Sequence, residues 1–117
     1  MMPPKESARL ECQGHCRWVS KTLRCCIEGK VCKATGLRHD CDGRIDPHHE
    51  PPVSQGGGDH QTSPLCRRAH NLRHDKGRKW FEENFGISLD KIGAECWQAD
   101  AYHRMKYENE RSQEVSP

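Results

Sequence analysis

The sequence predicts a small α+β domain stapled by metal, and three observations carry that expectation. Of its 117 residues only 32% are hydrophobic while 31% are charged, and the aromatic set is three Trp, two Tyr and two Phe. A chain of this length normally closes around a contiguous apolar core, and a mean hydropathy of -1.05 leaves little to build one. Eight Cys and eight His supply a substitute, because a bound metal contributes folding free energy on the order of ~10 kcal/mol where side-chain burial does not. The third observation is order along the chain: a cysteine-rich, irregular first third, a strand-like histidine segment, then helical punctuation. One domain is the ceiling, and a large α/β enzyme is excluded.

Each element follows from its local residues. Residues 1–11 and 110–117 carry Pro, Ser and charge without periodicity and are expected to be flexible, flanking a single domain over 12–109. From Cys12 to Cys41, Cys, Gly and short apolar pairs such as Trp18-Val19 show no sustained period, which predicts irregular, knuckle-like structure with short strands. Arg44 to His49 reads as a brief strand entered from the Asp42-Gly43 turn and ended by Pro51-Pro52. A loop through Gly56-Gly57-Gly58 follows. A helix is predicted from Pro64 to about Lys76, with Pro in its first turn and Gly77 at its end. Trp80 to Phe85 forms a second short helix stopped by Gly86, in which Trp80, Phe81 and Phe85 have helix-packing spacing. Ser88 caps a longer helix to about Tyr107, turning Leu89, Ile92, Cys96 and Trp97 inward.

No apolar run approaches the ~20 residues that cross a bilayer, and MMPPKESARLECQ lacks an apolar leader, so a cytoplasmic location and no membrane contact are expected. In that reducing setting the cysteines read as metal ligands or buried thiols; a disulfide framework would require export. The net charge of +2 is unevenly placed. Arg67, Arg68, Arg73, Lys76, Arg78 and Lys79 crowd one short segment with a single acid, Asp75, whereas the C-terminal part is acidic. A polyanion would meet the basic side; a solvated helix face is the plainer account of such a run.

Cys41, His48, His49, His60, Cys66, His70 and His74 carry the chemistry. His70 and His74, four apart on the predicted helix, share a face and can grip one ion. In an extended segment His48 and His49 point to opposite sides, so one can bind metal while its neighbour stays free. A free imidazole, with an ordinary pKa near ~6.5, is neutral and basic enough to activate water. A closed Cys₂His₂ site from Cys41, Cys66, His70 and one of His48 or His49 is the purely structural alternative.

The stretch Asp46 to Lys76, with DPHHEPP, GGGD, PLCRRAH and NLRHDKG, resembles the HNH endonuclease motif, the ββα-metal site, and especially its phage and prophage branch. The resemblance covers about a third of the chain, with a motif core over 41–79 followed by extra C-terminal helices. It implies that His49, with Pro52 three residues later, is the general base. His48 takes the position of the preceding metal ligand, His70 that of the final motif His, and His74 that of an additional ligand. The middle Asn is absent: Gln61 stands at the counted position, while Asp59, after the glycines, matches in chemistry. The activity implied is metal-assisted hydrolysis of DNA phosphodiesters. His49 would draw a proton from attacking water, and an ion on His48, His70 and His74 would stabilise developing charge. Three imidazoles suit Zn²⁺, Ni²⁺, Mn²⁺ or Co²⁺; Mg²⁺ fits if Asp46 or Asp59 joins. Arg67, Arg68, Arg73, Arg78 and Lys79 would hold flanking DNA phosphates, and no base-reading element predicts strong sequence preference.

Many HNH proteins add a four-Cys structural zinc, but Ala69 stands where one thiol is needed. The expected structural ligands are Cys41 and Cys66 with Cys32 and one of Cys25 or Cys26, Cys26 being the choice and His39 a substitute. Cys12, Cys16 and Cys96 read as thiols that bind no metal, His15 and His103 as surface histidines, and His60 as loop filler or a late DNA contact. The rival functions are a non-cleaving zinc-dependent DNA-binding module, or an interaction protein of a phage recombination or packaging complex acting through the C-terminal helix.

Overall fold

Alternation along Ile45–His49 (β1) buries Asp46 and His48 on one side and leaves Pro47 and His49 half-buried on the other. In the computed structural model, which describes residues 9–115, this strand pairs antiparallel with Thr62–Cys66 (β2), His48 facing Ser63 and Ile45 facing Cys66. Pro47 and Pro64 are partners in that register, and neither can donate to the ladder, which suits a sheet of two short strands. The far edge of β2 is not left bare. Pro64 O accepts from Cys26 N at 2.8 Å, and Ser63 Oγ donates to Leu89 O at 3.3 Å.

Among the described residues, five α-helices complete this mixed α+β fold: Gln13–Thr22 (α1), Arg67–Lys76 (α2), Arg78–Phe85 (α3), Leu89–Ala99 (α4) and Ala101–Val115 (α5). The core joins Ile27, Leu65, Ala69, Phe81, Phe85 and Leu89 to Cys25, Cys32 and Cys66. Sulfur is therefore part of the apolar interior. Among the described residues, no helix is long and apolar enough to cross a membrane.

The structure corrects the expected elements in four places. The irregular stretch from Cys12 contains α1, whose His15 and Val19 are fully buried. No side chain of its own caps it; instead Asp59 Oδ2, 47 residues away, accepts from Cys12 N at 2.7 Å. A local pattern carries no trace of such a cap. The helix expected from Pro64 begins at Arg67, because Cys66 Sγ takes the N-cap role and accepts from Ala69 N, which frees Pro64 for β2. The single helix expected over 88–107 breaks at buried Asp100, which accepts from His103 N at 3.2 Å and so caps α5. Finally, α5 runs to Val115, past the expected start of the tail at 110, while Arg9 and Cys12 at the other end are bonded to Asp59. Residues 1–8 and 116–117 of the expected flexible ends lie outside the described residues.

Candidate functional site

Among the described residues, three clusters of ligand-type atoms are built on this frame. In the first, Cys25, His39, Cys41 and Cys66 bring one ligand atom each to within 4.8 Å of one another. This arrangement is compatible with a structural metal site. His39 reaches it because a small hairpin, with Val31 bridged to Arg38 and His39 N bonded to Lys30 O at 2.7 Å, returns the chain onto β2, placing His39 Nε2 3.3 Å from Cys66 Sγ. Cys26 and Cys32, expected as ligands, are outside the set; Cys25 and His39 take their places. The reason is directional: Cys26 spends its backbone N–H on Pro64 O, so its neighbour Cys25 joins Cys41 and Cys66.

The thiols titrate unequally. Burial, then the neighbouring Cys25 and Cys66, push Cys41 up to about 12, and burial also raises Cys25. Cys66 is lowered despite its burial, because N–H groups of Ala69 and Asp42 donate to its sulfur at the head of α2. Cys66 is therefore the thiol of the group that ionises most readily, and a bound cation would favour the thiolate form of the others.

The second cluster is His48, His70 and His74, again with ligand atoms within 4.8 Å. The i, i+4 pair on α2 places His70 Nε2 and His74 Nε2 3.1 Å apart. Two nitrogens on one tetrahedral ion, with bonds of ~2.05 Å, lie ~3.3 Å apart, so the spacing fits shared coordination. Asp46 Oδ2 sits 3.0 Å from His70 Nδ1, which fixes the proton there and leaves Nε2 as the lone-pair nitrogen. Glu50 Oε2 is 3.0 Å from His48 Nε2, and both side chains are buried. Burial pushes His48 down to about 4, against the pull of Glu50, and burial followed by the His70 charge lowers His74. The protonated forms of His48 and His74 are thus disfavoured, in keeping with the neutral imidazole that metal ligation requires. Asp46 and Asp59 are engaged with imidazoles and are absent from this set, so the donors are all nitrogen.

On the other side of β1, His49 Nε2 lies 2.7 Å from Asp59 Oδ1. Asp59 is buried and further held by Arg9 Nη2 at 2.6 Å and Cys12 N at 2.7 Å. Burial alone would raise this carboxyl, but His49, Cys12 N and Arg9 hold it below the usual carboxylate range. Gln61 does a different job: its Oε1 accepts from Gly58 N at 2.9 Å and its backbone O from Glu50 N at 3.0 Å. Asp59 thus holds the imidazole and Gln61 holds the loop. The loop also demands glycine, since a Cβ on Gly57 would lie 1.7 Å from Pro51 O. Cys16 joins His49 and Asp59 in the third cluster.

Four of the expected phosphate contacts are already occupied. Arg67 pairs with Asp46 at 3.3 Å, Arg68 with Asp42 at 3.3 Å, Arg73 with Glu50 at 2.8 Å and Arg78 with Asp90 at 2.6 Å. Lys79 has no ion pair among the described residues. His15 is a second correction: it is fully buried, 2.8 Å from Asp100 through Nδ1, rather than on the surface, and His103 is half-buried against the same carboxylate. His60 packs its ring on Trp97, and Cys96 is buried. Neither Arg9 nor Cys16 was singled out as a site residue by sequence, because both reach Asp59 across more than forty residues with no spacing rule.

Comparison of the chain with family models, with curated proteins and with solved structures finds no match.

Proposed function

We propose that this chain is a metal-dependent DNA endonuclease of the HNH type. The observation that carries the proposal is the division of labour at two adjacent residues: His48 belongs to a three-imidazole cluster, and His49 is gripped by a buried carboxylate. A structural metal site needs the first and has no use for the second. Bound to His48, His70 and His74, a divalent ion such as Zn²⁺, Mn²⁺, Ni²⁺ or Co²⁺ would supply Lewis-acid stabilisation of charge at a scissile phosphate. Asp59 accepts from Nε2–H of His49, so Nδ1 is the nitrogen that takes the proton from attacking water. Asp59 then stabilises the imidazolium, and Arg9 with Cys12 N keeps Asp59 ionised and aimed.

The test is plasmid cleavage by purified protein across divalent metals, with His49→Ala alongside. The expected outcome is metal-dependent nicking by the parent and a loss of at least about 10²-fold in the variant at unchanged metal content; equal nicking by both removes His49 from the role. The pairing of Arg67, Arg68, Arg73 and Arg78 with acids favours a second reading, a metal-bound interaction module without catalysis. That version predicts full metal loading together with no appreciable DNA affinity at low salt.

A further inference from the structure

We infer that Cys16, His49 and Asp59 form a third metal site, one that takes Zn²⁺ and switches the proposed base off. One sulfur, one imidazole nitrogen and one carboxylate oxygen lie within 4.8 Å of one another there, a donor set suited to a thiophilic divalent cation. The sulfur is the member the pair does not require, its thiol being hydrogen-bonded to Asp59. Asp59 already holds His49, Arg9 and Cys12 N, so neither the loop nor the imidazole needs a thiol to stay in place. Helix α1 nonetheless presents Cys16 to the pair, one turn beyond the residue whose N–H meets the carboxylate.

The proton balance gives the consequence. On binding, Zn²⁺ displaces the Cys16 thiol proton to solvent, because the thiolate is the ligand. The ion also takes Nε2 of His49, whose proton moves to Nδ1. A neutral imidazole protonated at Nδ1 and metallated at Nε2 has no lone pair left for water. Arg9, 2.6 Å from the same carboxylate, competes with the ion, which makes this the weakest of the three clusters and the last to fill. Zinc is thereby an inhibitor above the concentration that loads the other two sites. The inhibitory consequence rests on the nuclease proposal; occupancy of the site does not.

Equilibrium dialysis of the full chain against graded Zn²⁺, followed by metal analysis, reads occupancy as a difference between variants. Cys16→Ala is expected to bind one equivalent fewer than the parent at saturation, and Cys12→Ala the same number as the parent. Equal stoichiometry in parent and Cys16→Ala overturns the site, whether or not the protein cleaves DNA. A Cys16→Ala protein that does not fold loses more than one equivalent, in which case Cys16→Ser, with a far poorer zinc ligand, must show the single-equivalent deficit or the site is overturned. In the plasmid assay with Mn²⁺, excess Zn²⁺ is expected to inhibit the parent at a concentration at least about tenfold below that needed for Cys16→Ala. Coincident inhibition curves overturn the switch, and absence of cleavage by the parent in Mn²⁺ before any Zn²⁺ is added overturns the nuclease proposal alone.

Discussion

At the scale of single residues, the chain assigns neighbouring side chains to opposite tasks, and the assignments can be separated by substitution. Asp59→Ala removes the acceptor for His49 Nε2, Arg9 Nη2 and Cys12 N. It is expected to lower metal-dependent cleavage on the order of 10²-fold while the ions on the three histidines and on the sulfur cluster remain; metal analysis beside the plasmid assay checks both halves. The cysteines separate in the same way. Cys25→Ala is expected to lose one equivalent of metal and to unfold at markedly lower denaturant, whereas Cys32→Ala keeps full metal content and shows only the modest cost of a small core cavity. How much of this was legible in sequence depends on whether the deciding contact is local. His48, His49, His70 and His74 obey strand and helix periods, so their grouping could be read directly. The choice between Cys25 and Cys26 turns on a hydrogen bond to Pro64 O, 38 residues on in the chain, which no spacing announces.

At the scale of elements, the loop between the strands does more than connect them. Gly57 passes so close to Pro51 that any side chain must push the loop away, and the loop carries Asp59 to His49. Gly57→Ala is therefore expected to impair cleavage to an extent approaching Asp59→Ala, while the three-histidine site, which hangs on β1 and α2, keeps its ion. Equal loss of metal and of cleavage would contradict this division. The glycine triplet was visible as a loop, but its closeness to Pro51 was not, because a turn signature says which conformations are allowed and not what lies opposite. Helix α1 shows the same limit in stronger form. Gly14, His15, Cys16, Trp18, Val19, Ser20 and Thr22 are weak helix formers, and what holds the helix is burial of His15 and Val19 together with a cap supplied by Asp59. The α4–α5 break, by contrast, was legible in principle, since Asp100 is an ordinary N-cap residue placed before Ala101.

At the scale of the whole molecule, low apolar content is answered by burying imidazole. Burial lowers His15 from an ordinary 6.5 and pushes His48 down to about 4. Across the interval between those values the unfolded chain binds protons that the folded chain refuses. Stability rises with pH wherever the unfolded state holds more protons, so the metal-free protein is expected to lose Tm as pH falls from 7 towards 4; a flat Tm over that range would contradict the burial of these rings. Asp59, held below 3.8 when folded, adds a loss in the same direction at still lower pH. The α+β class with metal-type clusters could be inferred from composition and punctuation alone, because both are averages over the chain. The pairing of four arginines with carboxylates could not, since Asp46, Glu50 and Asp90 come from other elements.

Helix α2 touches both inner clusters: Cys66 caps it at the sulfur group, and His70 and His74 follow one and two turns later. Its start and its second turn cannot be positioned independently over ten residues of rigid helix. An ion held through Cys66 would therefore bear on the angle at which two imidazoles are offered to an ion on the histidines, and any such coupling is reciprocal, each ion changing the other's affinity by the same factor. Two ions on such a helix would load as linked events rather than as separate ones.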